Sequence, residues 1–141
     1  MTPFRSGSKL HLMTNLSIKK TTKGHLEEVV HRVTDALKEK GFGVLTRIDF
    51  HTKIKEKLGK DIDPVVILGA CNPQIAYQAF HRNTDVTSLI PCNATIRQIK
   101  PKEFSVELTK PSALMEILGE SDLVSMAREA DALLESVAQK V

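Results

Sequence analysis

The hydrophobic positions of the chain follow two spacings, and each spacing predicts one kind of element. Between residues 26 and 37 apolar side chains recur three to four residues apart, which predicts an amphipathic helix that ends at Gly41. From Phe42 to Phe50 the spacing changes to two, which is typical of a half-buried strand. A short basic segment that ends at Gly59 then predicts a second, shorter helix.

The chain is organised around residues 65–93. An unbroken apolar run from Val65 to Leu68 predicts a central strand over residues 65–70 that is covered on both faces. It leads directly into Cys71-Asn72-Pro73, where Asn72 is a favoured N-cap and Pro73 is favoured at the first helical position. The sequence therefore predicts a direct transition from strand to helix at this point.

The C-terminal half adds a hairpin and a helix. Alternation from Ile90 to Ile96 places Cys92 on one face of a strand and Asn93 on the other. A turn at residues 100–102 leads into a partner strand, and a final amphipathic helix begins near Ser121. The predicted order is β-α-β-(α)-β-α-β-β-α. It indicates the α+β class, with one mixed, largely antiparallel sheet and helices packed mainly on one face.

Length and composition exclude several classes of protein. The 141 residues favour one domain, with residues 1–12 as a leader or disordered arm and residues 13–141 as a single α+β domain. Few aromatic residues and a net charge of only +3 argue against a nucleic-acid partner. No apolar run is long enough to span a membrane, so no membrane partner is expected. Two cysteines without a disulfide-rich pattern predict a cytoplasmic location.

Cys71 is the first candidate for chemistry. It lies just before a predicted helix start, where backbone N–H groups and the helix dipole stabilise a thiolate and lower the pKa of a thiol. The alternative is structural, because a free cysteine is often simply buried. Cys92 is predicted to point into the core, and the structural interpretation is favoured for both cysteines. Whether the two sulfurs approach each other stays open.

The chain lacks the residue spacings of known metal and cofactor sites. The candidate ligands are scattered, so the sequence predicts no metal site; they are Cys71, Cys92, His51, His81 and Asp49. No phosphate-binding glycine loop, nucleophile elbow or zinc-binding helix motif is present, and the cofactor is left unassigned.

Two further polar positions suggest chemistry. Asp49 shares a predicted strand face with Arg47 and His51, which suits general acid–base chemistry, although an exposed ion-pair ladder is the favoured interpretation. Asn93 has no local structural explanation, and its amide offers both donors and an acceptor. Beside the helix start at Asn72, it would form a small site for a carboxylate, a phosphate or a similar anion.

Four segments together resemble the domain of unknown function 302 family. In the order and spacing of that family, they are Ile48-Asp49, Lys55-Glu56-Lys57-Leu58-Gly59, Ile67-Leu68-Gly69-Ala70-Cys71-Asn72-Pro73 and Leu89-Ile90-Pro91-Cys92-Asn93. The resemblance covers about Ser17 to Pro111, and the C-terminal helix fits in general character. It implies a compact, apparently dimeric α+β domain without an established activity. The motif positions that it carries over are Asp49, Glu56, Gly69, Cys71, Asn72, Pro73, Pro91, Cys92 and Asn93.

Three functional hypotheses follow from these observations. The first is a cytoplasmic homodimer that binds a small polar or anionic ligand at the helix start; the candidate site residues are Cys71, Asn72, Cys92, Asn93, Asp49 and Glu56. The second is a thiol-dependent enzyme or redox sensor that uses Cys71 and Cys92. The third is a structural or interaction module. Whether the protein is an enzyme therefore stays open.

Overall fold

The fold is built on one five-stranded sheet. In the computed structural model residues 16–141 are described, and the predicted leader at residues 1–12 lies outside them. The strands are β1 (Ser17–Lys23), β2 (Gly43–Asp49), β3 (Val65–Cys71), β4 (Cys92–Lys100) and β5 (Glu103–Thr109), and their order across the sheet is β1-β5-β4-β3-β2. β4 and β5 form the predicted hairpin.

Helices cover one face of this sheet. Five α-helices are described: α1 (Leu26–Glu39), α2 (Phe50–Leu58), α3 (Pro73–Arg82), α4 (Pro111–Met115) and α5 (Ser121–Gln139). The apolar sides of α1 and α5 enclose the main core with Leu68, Ile96 and Phe104 of the sheet. The predicted α+β class is confirmed, and so is the packing of helices mainly on one face. Within residues 16–141, no helix is both long enough and apolar enough to cross a membrane.

The sheet departs from the prediction in its strand directions. A mixed sheet was expected, but every pairing among residues 16–141 is antiparallel. The reason is the order of connection. After α1, the chain steps back across the sheet one neighbour at a time from β2 to β5, and each step reverses its direction. β5 finally pairs with β1, also in antiparallel fashion.

The second strand also departs from its predicted pattern. It was expected to run from Phe42 to Phe50, but it ends at Asp49, and Phe50 begins α2. The register shifts between Val44 and Thr46, where a β-bulge adds one residue to β2. Because a bulge interrupts the alternation of side chains, Val44 faces the helices whereas Thr46 faces away from them.

A glycine allows two segments to approach each other on the open face of the sheet, which is the face opposite α1 and α5. Gly69 of β3 pairs with Thr46 of β2 on one side and with Asn93 of β4 on the other. A Cβ atom at Gly69 would lie 2.8 Å from Cγ of Pro91 and closer still to Oγ1 of Thr46. Only glycine fits without a shift of these neighbours. The close contact holds Pro91 against β3 and so fixes where β4 begins.

Candidate functional site

The strand register brings the two cysteines to the same end of the sheet. Cys71 is the last residue of β3 and Cys92 is the first residue of β4. Ala70 is the direct partner of Cys92 across the two strands, so the two cysteine segments are neighbours in space. Both thiols are free. The two cysteine-containing segments are therefore adjacent in the sheet, which the sequence alone leaves open.

An apolar cavity of about 50 Å³ lies between this end of the sheet and the helices α3, α4 and α5. Cys71, Asn72 and Cys92 line it. Most of the remaining wall is aliphatic, aromatic or thioether in character, and it includes Phe42, Ile75, Met115, Met126, Ala127 and Ala130. Since one water molecule needs about 10–15 Å³, the cavity has room for a ligand of a few atoms.

Asn72 forms the boundary between this cavity and the surface. Its Oδ1 accepts a hydrogen bond from the N–H of Ile75 at 3.2 Å, which confirms the predicted N-cap of α3. The same side chain also lines a shallow surface hollow together with Gly41 and Tyr77. Because Oδ1 is engaged in the cap, the donors of the Asn72 amide are the groups that it can offer to a ligand.

Burial dominates the electrostatics of both thiols. It raises the pKa of Cys71, which is the opposite of the lowering expected for a reactive cysteine at a helix start. Burial also raises the pKa of Cys92 to about 11, and the neighbouring Cys71 and Asp131 add to that shift through their negative charge. Both groups are therefore protonated thiols at neutral pH, which is a poor state for a nucleophile.

Asp131 of α5 fixes the part of the wall that α4 contributes. A charged residue of an amphipathic helix is expected on its solvent face, but Oδ1 of Asp131 accepts a hydrogen bond from the N–H of Ser112 at 3.1 Å. Its Oδ2 accepts a second one from Oγ of Ser112, a residue that is buried at the start of α4. Since α4 also carries Met115, this pair of contacts positions one side of the cavity.

Three of the predicted site residues lie away from the cavity. Asn93 points to the open face of the sheet, where its side chain is exposed. Glu56 is exposed on α2 and lies 3.6 Å from Nζ of Lys53. Asp49 lies at the end of β2. Of the six candidates, the structure thus gathers Cys71, Asn72 and Cys92 and separates the other three.

The predicted acid–base trio is not assembled either. Nε of Arg47 donates to Oδ1 of Asp49 at 2.8 Å, and the same guanidinium makes two further hydrogen bonds to Glu27 of α1. The hydrogen bond from Arg47 lowers the pKa of Asp49. His51 lies in α2 instead of β2, and its Nδ1 accepts a hydrogen bond from the N–H of Val65 at 3.0 Å. The trio therefore separates into an ion pair and a structural histidine.

Sequence reasoning missed the far wall of the cavity. Met115 and Met126 belong to helices that are distant in sequence from both cysteines, and the pattern marks them only as apolar. The one available signal is the run of small residues on facing helices. Alanines at positions 76, 79, 127 and 130 leave space that larger side chains would fill.

The fold and the site together define a class of protein: a small α+β domain with an open antiparallel sheet and a thiol-lined cavity at one end of that sheet. The profile of the domain of unknown function DUF302 matches residues 18–141, and the chain belongs to this family. The crystal structure of an uncharacterized conserved DUF302 protein from Bacillus stearothermophilus is similar, with a TM-score of 0.81 and 27% identity. The match covers 89% of this chain and 97% of that one. No curated protein matches the sequence.

Proposed function

We propose that this domain binds a small ligand in the cavity beside Cys71, Asn72 and Cys92. The observation that carries the proposal is the convergence of two separated segments on one apolar cavity, with one polar amide at its rim. Small-molecule sites are typically of this kind, mostly apolar with few polar groups that set orientation. The predicted cytoplasmic location would keep both thiols reduced.

The shape of the site limits the chemistry of the ligand. The interior offers apolar contact, so the body of an organic ligand should be a short aliphatic group. The polar end should lie at the rim, where the donors of the Asn72 amide and the N–H of Gln74 are located, because Pro73 has no N–H and that of Ile75 is bound to Oδ1 of Asn72. Amide donors and a helix start both favour an anion, so a short carboxylate fits better than the alcohol of the same length.

Thermal unfolding with butyrate, and with butanol as the uncharged counterpart, tests this proposal. A ligand at 100 times its Kd stabilises the folded state by about 2.7 kcal/mol, which corresponds to roughly 5–10 °C in a domain of this size. We expect butyrate to raise the melting temperature more than butanol does. Acetate, which is too short to fill the cavity, should have a smaller effect.

Two variants test whether butyrate raises the melting temperature by binding in the cavity. Ala127→Met fills the space from α5, whereas Ala132→Met changes an exposed residue of the same helix and serves as the matched control. Asn72→Asp keeps the capping oxygen but replaces the amide donors with a negative charge. It should abolish the preference for butyrate without unfolding the protein. An unchanged butyrate shift in both Ala127→Met and Asn72→Asp would refute the proposal.

A binding role is better supported than thiol catalysis. The raised pKa values of Cys71 and Cys92 leave little thiolate at neutral pH, whereas reactive cysteines lie in electropositive surroundings that lower the pKa. In addition, no histidine lines the cavity among the described residues, so the wall supplies no imidazole base for a thiol.

The homodimer expected from the family resemblance stays a prediction, and the open face of the sheet offers a surface for it. Ile48 of the edge strand β2 is 45% exposed there and pairs with the half-buried Ile67 of β3. Light scattering should give the mass of two chains for the unmodified protein and of one chain for Ile48→Lys. Ile117→Lys changes an isoleucine that is 71% exposed elsewhere and should leave the mass unchanged.

A further inference from the structure

The cavity concentrates sulfur. Both cysteines of the chain, Cys71 and Cys92, line it together with Met115 and Met126. The four side chains come from four elements, namely the end of β3, the start of β4, α4 and α5. Because each is held by a different element, their convergence is a property of the tertiary fold and does not follow from one apolar helix face.

The donors that face the cavity are soft ones. Apart from the thiols, Asn72 is the one polar side chain of the wall within residues 16–141, and no carboxylate or imidazole lines it. Thiolate and thioether sulfur suit Cu(I), whereas Mg²⁺ and Ca²⁺ require oxygen ligands. No described group of three or more His, Cys, Asp or Glu side chains could hold a metal ion, which disfavours a typical zinc site.

We propose that the cavity is a binding site for the soft monovalent ion Cu(I), held by the sulfurs of Cys71 and Cys92 and by thioether sulfur from Met115 or Met126. Each cysteine that binds the ion releases its proton to solvent, and the oxidation state of the copper does not change. Thioether sulfur is not among the histidine, cysteine and carboxylate ligands on which the sequence-based prediction of no metal site rests. The inference rests on the proposed function only in that both use the same cavity.

The surroundings offset the charge of such a complex. Two thiolates and one Cu(I) ion carry one net negative charge, which is costly in an apolar site. The start of α3, which directly follows Cys71 and Asn72, presents the positive end of a ten-residue helix. This arrangement stabilises an anionic complex but not a cationic one, which favours coordination by both thiolates.

A competition titration of the full, reduced chain against the Cu(I)–bicinchoninate complex, under anaerobic conditions, tests the inference. We expect one Cu(I) per chain, and we expect Cys71→Ser and Cys92→Ser each to lose this binding. Leucine replaces methionine at nearly constant volume, so Met115→Leu and Met126→Leu keep the wall intact. At least one of them should lower the affinity about tenfold or more, since even outer-shell partners contribute this much in metal sites.

Leu133→Ile is the matched control on α5, because Leu133 does not line the cavity and the change should leave the affinity within about twofold. Retention of Cu(I) in either cysteine variant would overturn the inference, and so would full affinity in the double variant Met115→Leu/Met126→Leu. The butyrate shift separates the two proposals. If copper does not bind but butyrate still does, only the metal site is wrong, whereas loss of both removes the proposed function as well.

Discussion

The two Cys-Asn dipeptides of the chain are identical in sequence but differ in structure. At Cys71-Asn72, a strand ends and a helix begins, and both side chains line the cavity. At Cys92-Asn93, a strand begins and continues, so alternation sends the cysteine to the cavity and the asparagine to the open face of the sheet. Both residues of the first dipeptide therefore line the cavity, whereas only the cysteine of the second dipeptide does.

This difference shows that the backbone conformation around a motif determines what the motif can do. Asn72 has a clear local role, because its side chain caps α3. Asn93 lies opposite Gly69, where the glycine keeps β3, Thr46 and Pro91 close together. The second dipeptide thus contributes Asn93 to the open face of the sheet and Cys92 to the cavity.

The largest effect is expected at Gly69, because it fixes the segment that leads into Cys92. Gly69→Ala places a methyl group against the ring of Pro91 and the hydroxyl of Thr46, and overpacking of this kind typically costs about 1–3 kcal/mol. Gly43→Ala is the matched control in the neighbouring strand, since a Cβ atom there meets nothing within 4 Å. Urea unfolding of both variants measures the difference, and equal stabilities would contradict this role of Gly69.

The second prediction concerns the thiol of Cys92. In Cys71→Ser, Cys92 is the only remaining thiol, and burial should still keep its pKa well above the ordinary value of 9.0. A pKa of about 11 would slow the reaction with iodoacetamide at pH 8 roughly 10-fold relative to a free thiol of pKa 9.0, after allowance for the greater nucleophilicity of a more basic thiolate, and the loss of the Cys71 contribution makes the expected factor somewhat smaller. A rate equal to that of a free thiol would show that Cys92 is not buried in the cavity.

The same raised pKa also predicts how stability depends on pH. As the pH rises from about 9 towards 11, the unfolded chain loses the Cys92 proton while the folded chain retains it. Unfolding therefore becomes easier across this range, and the contribution present below pH 9 is lost. Urea unfolding at pH 8 and at pH 10.5 should show a smaller decline for Cys92→Ala than for the unmodified protein.

The third prediction compares the two asparagines directly. Asn72→Ala removes a helix cap and should lower the free energy of unfolding by about 1 kcal/mol. Asn93→Ala changes an exposed residue and should stay within about 0.5 kcal/mol of the unmodified protein. Asn72→Ser keeps a capping oxygen and controls for the loss of volume. If Asn93→Ala lowered the free energy of unfolding more than Asn72→Ala does, then Asn93 would be the asparagine that stabilises the fold.

The cysteine positions show how far the sequence could be interpreted. Alternation alone predicts that Cys92 points inward and Asn93 outward, and capping rules predict that α3 begins after Asn72. These are local inferences, because each depends on residues within a few positions of one another. The same local logic fails at β2, where the shift between Val44 and Thr46 depends on pairing with β3 and has no marker in the sequence.

The far wall of the cavity could not be predicted for a related reason. Met115, Met126 and Asp131 each lie more than twenty residues beyond Cys92 in the sequence. Their helical spacing identifies an apolar face or a solvent face, but not the element that the face contacts. The contact between Asp131 and Ser112 is invisible to a pattern that assigns charged helix positions to solvent.

The smallest effects are expected at the two acidic positions that lie outside the cavity. Glu56→Gln removes one ion pair at 3.6 Å between exposed side chains and should change stability by less than about 0.5 kcal/mol. Asp49→Asn should cost slightly more, because Arg47 links Asp49 to α1 through Glu27. The pKa of Asp49 is lowered, so its contribution is present above the ordinary value of 3.8 and is lost as the pH falls. The difference in free energy of unfolding between Asp49→Asn and the unmodified protein should therefore become smaller in acid. If either Glu56→Gln or Asp49→Asn abolished the butyrate shift, that residue would belong to the ligand site after all.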